Sequence, residues 1–142
     1  MVSVFDTRPC SLGEGPLWHP LRGELFWFDI NAHQLLSKTD MWQFDEFVSA
    51  AGWISRDELL IASESQLFRF QLGDHSQSKI CDLEADNPVT RSNDGRCDPQ
   101  GGFWIGTMGK KAEAKAGAIY RYYRGDLVQL FAEITIPNAI CF

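Results

Sequence analysis

The chain has 142 residues, 44% of them hydrophobic and 13% aromatic, enough for one ordinary packed domain. Its formal charge of -6 comes from scattered acidic residues with no run of Lys or Arg, which argues against nucleic-acid binding because phosphates need clustered cations. No apolar run reaches membrane-spanning length and no secretory signal follows Met1, so neither a membrane partner nor export is expected. Cys10, Cys81, Cys97 and Cys141 form no CxxC pair or zinc pattern. Free thiols in a reducing cytoplasm are the plain expectation.

Pro, Gly and Asn/Asp clusters punctuate the sequence every few residues, and the runs between them are apolar, aromatic and β-branched. That pattern predicts an all-β fold. In chain order, strands are expected at Leu25 to Ile30, Glu58 to Ser63, Gln66 to Gln71, Gly102 to Thr107, Ala118 to Tyr123 and Leu127 to Ala132. No segment of a dozen residues holds a helical period, so no helix longer than about two turns is expected.

The segments GPLWHPLRGELFWFDI, AGWISRDELLIAS and DGRCDPQGGFWIGT share one layout: a small residue, a short strand, a turn and an apolar strand. Aligning them on Phe26, Leu60 and Trp104 gives periods of 34 and 44 residues, and a fourth unit opens at Asn138. Four-stranded propeller blades recur at such spacings. About three blades are present and Phe142 falls in the first strand of the fourth, so the chain reads as a truncated half whose open edges need a partner. A second chain completing the propeller is one such partner.

At LGEGPLWHP, LFWFDI, RSNDGRCDPQGGFWIGTM and IPNA the chain resembles the SMP-30/gluconolactonase/regucalcin-like family, from about Cys10 to the C-terminus. The resemblance implies a six-bladed β-propeller, of which residues 1–142 are the N-terminal half, and hydrolysis of a sugar lactone. It implies one divalent metal ion in the central channel, with Glu14 and Asn138 as ligands. It also implies substrate binding by Arg91 and Asn93; in the loop GKKAEAKAG, where some members carry a sugar-contacting acid, counting places Lys111 near that position and the candidate Glu113 two residues later. The family's general base belongs to the half not present, so no catalytic base is assigned here.

The residue types suit those roles. In a propeller, positions opening the innermost strands converge at one channel mouth, and Glu14, Asn93 and Asn138 each open such a strand. Carboxylate and amide oxygens suit hard cations, Ca²⁺ ahead of Mg²⁺, while Zn²⁺ would want the His and Cys partners that are not clustered here. Arg91 offers a planar fork of donors to sugar oxygens.

Plainer readings stand beside these. Glu14 between two glycines and the run SNDG both suit tight turns, and Asn138 after Pro137 does too. Trp18, Trp27, Trp53 and Trp104 read as blade core, and His19, His33 and His75 fall on expected turns with no nucleophile partner. The competing functions are a non-enzymatic calcium-binding or scaffold propeller and an inactive truncated fragment.

Overall fold

A computed structural model describes residues 1–142. It contains strands and no helix. Three four-stranded antiparallel sheets follow one another in sequence. The first comprises β1 (Gly13–His19), β2 (Glu24–Asp29), β3 (Gln34–Ser37) and β4 (Met41–Gln43). The second comprises β5 (Val48–Trp53), β6 (Glu58–Ser63), β7 (Gln66–Gln71) and β8 (Gln77–Asp82), and the third β9 (Thr90–Cys97), β10 (Phe103–Gly109), β11 (Gly117–Tyr123) and β12 (Asp126–Ile134). Each is a simple meander whose first strand touches the first strand of the next sheet, so β1, β5 and β9 form a common inner layer.

The middle sheet is apolar on both faces because both are covered. Along β6, Leu59 and Ile61 join Phe26, Phe28, Phe68 and Phe70 in the core against the first sheet. The alternate residues Leu60 and Ala62 join Leu67, Phe103 and Ile105 against the third. Alternation in a strand thus feeds two separate cores. Each fully buried Phe contributes about 1.5–3 kcal/mol by leaving water.

The six expected strands correspond to β2, β6, β7, β10, β11 and β12 to within two residues at each end, and β6 and β7 match throughout. The alignment of the repeats needs correction by one residue. In every sheet two residues of the inner strand oppose a single residue of the second strand: Gly15 and Pro16 face Trp27, Ser49 and Ala50 face Ala62, Asn93 and Asp94 face Gly106. Aligning these bulges matches Phe26 with Ile61 and Ile105, all fully buried, whereas Leu60 and Trp104 point to the opposite face. Two further expectations fail. Trp18 and Trp53 are 58% and 43% exposed, the buried tryptophan being Trp42. His19 lies in β1, wholly buried, with Nε2 at 2.9 Å from the Ser55 carbonyl oxygen and Nδ1 unpartnered.

Pro137 to Phe142 form no strand, contrary to the reading of an opening fourth blade strand. They still run beside β9. The Pro137 carbonyl accepts from Asn93 Nδ2 at 2.8 Å, the Ile140 amide donates to Asp94 Oδ2 at 2.6 Å, and the Ile140 carbonyl accepts from Arg96 Nε at 3.0 Å. A strand needs a ladder of backbone partners, and here side chains supply the bonds instead.

Asp98 closes the turn after β9. Its carboxylate accepts from Arg121 Nε at 2.7 Å, from the Gly102 amide at 2.8 Å and from Trp104 Nε1 at 2.9 Å. The Arg121 bond first, then the Gly102 amide and the indole, holds the carboxyl well below the usual carboxylate range. A depressed folded-state pKa stabilises fully above the unfolded value, near pH 4, and that contribution is lost as pH falls through the folded value. Asp98→Asn should therefore lower the urea midpoint at pH 7, and the gap to wild type should close as pH falls from about 4 toward 2. A gap constant with pH would assign the effect to packing.

Candidate active site

The inner layer places the sequence-predicted residues at one end of the three sheets. Its strands run in the same sense: Gly15 lies against Ser49, Ser49 donates to Ser92 Oγ at 2.7 Å, and Gly52 lies against Cys97. Glu14, Arg91 and Asn93 therefore share the N-terminal end of the layer. They sit inside β1 and β9 rather than just before them, so SNDG is not a turn here but spans the β9 bulge. By bulge register, Glu14 is equivalent to Val48 and Ser92, and Asn93 to Gly15 and Ser49. The expected equivalence of Glu14 with Asn93 is thus displaced by one residue. A bulge re-aims the side chains around it, and each inner strand carries its bulge at this mouth.

Arg91 is 6% exposed and takes part in no ion pair. Its Nη1 donates to the Ser92 carbonyl at 2.7 Å and to Asn93 Oδ1 at 3.0 Å. Nε and Nη2 are not among the buried atoms lacking a partner and make no bond within the chain, so they keep free donors open to solvent. Burial pushes the guanidinium pKa down, while the charge of Glu14 pushes it back up. Glu14 thus lies within electrostatic reach of Arg91. Glu14 is itself half-buried and in no ion pair.

Asn93 is a link as well as a candidate ligand. Its Oδ1 accepts from Arg91 and its Nδ2 donates to the Pro137 carbonyl, leaving one N–H and one lone pair. Pro137 is buried against Gly106, and the next residue, Asn138, is exposed with Oδ1 accepting from the Ala139 amide at 3.0 Å. The fold brings Asn138 next to the Asn93 link without joining its side chain to Glu14 or Arg91. Glu113 lies in the loop between β10 and β11, at the same end as Arg91, which pairs with Met108 of β10. Its carboxylate turns back on its own loop, accepting from the Lys111 amide at 3.0 Å and lying over Gly109.

Two residues at this mouth were not expected in a site, Lys110 because its basic group Lys110, Lys111 and Lys115 reads as a solvated loop. Phe47, just before β5, and Lys110, just after β10, meet beside Arg91, with each cation 5.9 Å from the Phe47 ring centre. Only the fold brings them together. At the opposite end of the inner layer, Trp18, Trp53, Arg96 and Cys97 line a separate cavity of about 250 Å³.

No group of three or more His, Cys, Asp or Glu side chains converges anywhere in the chain. The oxygen donors at the mouth nevertheless fit a hard cation in kind: Glu14 is a half-buried carboxylate with no ion-pair partner, and Asn138 carries an exposed amide. One charged ligand is all that this set supplies.

Consecutive four-stranded meanders sharing an inner layer of first strands, with polar side chains gathered at one end of that layer, define a propeller-like β-protein. The model of the SMP-30/gluconolactonase/LRE-like region matches residues 12–142, and the chain belongs to that family. It is 33% identical to the pentonolactonase of Haloferax volcanii, over 100% of this chain and 49% of that protein. It is 31% identical to the L-arabinolactonase of Azospirillum brasilense, over 96% of this chain and 47% of that one. Among solved structures it resembles a calcium-binding protein, regucalcin, from Agrobacterium tumefaciens, with a TM-score of 0.93 and 41% identity over 96% of this chain and 48% of that chain. The chain spans about half the length of the curated relatives it matches.

Proposed function

We propose that these residues form half of the site of a sugar-lactone hydrolase, on three blades of a six-bladed propeller. The observation that carries the reading is the buried Arg91 with donors left free, near the unpaired Glu14, in a chain whose relatives include a pentonolactonase and an L-arabinolactonase. Glu14 and the amide oxygen of Asn138 would hold a divalent ion, Ca²⁺ ahead of Mg²⁺ or Zn²⁺, which when bound polarises a carbonyl as a Lewis acid. A calcium-binding relative supports that choice.

The chain's own residues bind and orient. Arg91 gives its Nε and Nη2 hydrogens to sugar oxygens, and the bond from its Nη1 to Asn93 fixes the plane of the fork. Asn93 offers its remaining N–H to the same ligand while tying β9 to Pro137. Glu113 holds the Lys111 amide through Oε2 and keeps Oε1 to accept a sugar hydroxyl. The proton taken from the attacking water goes to a base outside residues 1–142, supplied by further blades of the protein or by a second chain. Four unpaired thiols suit a cytoplasmic setting.

In the full-length protein, Arg91→Ala is expected to raise KM for a sugar lactone about tenfold or more, with kcat and metal affinity little changed, because its contacts are made alike in ground and transition states. Lactone opening followed by pH-stat, with the metal titrated, checks this. Unchanged KM would remove Arg91 from the substrate site.

A further inference from the structure

We propose that Phe47 is a substrate-contacting residue, its ring forming the apolar wall on which the C–H face of a sugar ring lies while Arg91 takes the hydroxyls. Phe47 sits between β4 and β5 at the mouth that holds Glu14 and Arg91. It is partly buried, packing one side on the core between the first two sheets. The ring is not wholly buried, and Arg91 and Lys110 stand beside it.

Three separate elements fix that ring. His33, in the turn between β2 and β3, meets it edge-on, with centres 4.5 Å apart and planes at 65°. Arg91 of β9 and Lys110 after β10 each place a cation 5.9 Å from the ring centre. Lys110 is itself tethered by Glu64 and by the Pro88 carbonyl at 3.0 Å. A ring so held loses little further freedom on binding, which favours affinity.

The chemistry of the ring selects the ligand. Phe has no polar tip, so it cannot answer a hydroxyl; it offers an electron-rich face. That face attracts polarised C–H groups as it attracts the two cations. A cyclic polyol has the matching pair of surfaces, C–H groups on one face and hydroxyls at the rim. Next to the free donors of Arg91, the apolar wall and convergent polar groups have the composition of a small-molecule site.

The inference rests on the lactonase reading for the reaction but not for the binding, and the test separates the two. In the full-length protein, titrate 1,5-anhydroglucitol, a cyclic polyol that cannot be hydrolysed, against wild type, Phe47→Leu, Phe47→Ala and Phe47→Tyr, and measure gluconolactone opening on the same set. Phe47→Leu, which keeps apolar bulk, should weaken polyol binding about tenfold and raise KM about as much with kcat near wild type. Phe47→Tyr should keep both. Irradiating aromatic protons should transfer saturation to the polyol C–H groups in wild type and not in Phe47→Leu. Polyol binding that follows Phe47 with no lactone opened sustains this inference and sinks the reaction. Lactone opening with KM unchanged in Phe47→Leu and Phe47→Ala, or a wild type that ignores the polyol, overturns it.

Discussion

Glu14→Gln is expected to weaken divalent-metal binding and lactone opening together, each by about a hundredfold, in the full-length protein. The substitution keeps the shape and one oxygen of the side chain and removes its charge. Glu14 enters no ion pair, and Asn138 contributes at most a neutral oxygen. Hard cations owe affinity to the number of charged oxygens around them, so losing this one should be felt strongly. The phenotype should differ in kind from that of Arg91→Ala, where metal affinity stays and KM moves. Removing Glu14 also strips Arg91 of the nearby charge that favours its ionised form. The guanidinium still stays protonated at neutral pH, so Arg91 remains a donor in the variant. Calorimetric titration with Ca²⁺, Mg²⁺ and Zn²⁺ alongside pH-stat assays reads both effects. Metal affinity unchanged in Glu14→Gln would move the ion elsewhere and leave Glu14 as a counter-charge for Arg91.

Much of the fold can be read in the sequence because strands that feed two cores carry an unmistakable composition. Leu59 to Ala62 are four consecutive buried apolar residues in β6, bounded by charged and polar turns, and the repeats of that run mark the sheets. The same property hides the register. With both faces of the middle sheet apolar, nothing in the sequence distinguishes Leu60 from Ile61, and the alignment slips by one residue; only the bulges at Gly15, Ser49 and Asn93 fix it. Those bulges are themselves ambiguous, since GEG and SNDG contain the residues a turn would use. Trp18 and Trp53 misled for another reason. Aromatic residues at strand ends look like core, yet here they line the far end of the inner layer. That Glu14, Arg91 and Asn93 lie near one end of the inner layer could be read from their places in the repeats, although Glu14 and Asn93 stand one residue apart in register. Phe47 carries no pattern, and Lys110 stands in the basic group Lys110, Lys111 and Lys115 that reads as a solvated loop until the fold sets it with Phe47 beside Arg91.

Gly15→Ala should be among the most damaging single changes in the chain, destabilising by about 3 kcal/mol or more through two effects that a control can separate. The first is conformational. Gly15 has φ of 58°, the left-handed region, where a Cβ costs about 1–2 kcal/mol. The second is steric: a Cβ at Gly15 would lie 2.2 Å from the Ser49 carbonyl oxygen, so β1 and β5 would have to part. Backbone on an inner strand cannot swing aside as a side-chain tip can, and Ser49 also donates to Ser92 of β9, carrying the displacement to the strand that holds Arg91. Gly23 supplies the control. Its φ is 65°, yet nothing lies within 4 Å of its would-be Cβ. Gly23→Ala should therefore show the conformational cost alone, about 1 kcal/mol, and leave the mouth intact. Urea unfolding of the two variants measures the difference, and polyol and metal titrations show whether the mouth moves with it. Equal losses in the two variants would mean that β1 and β5 tolerate the extra methyl, and that the bulge at Gly15 is a matter of backbone angle and not of close approach.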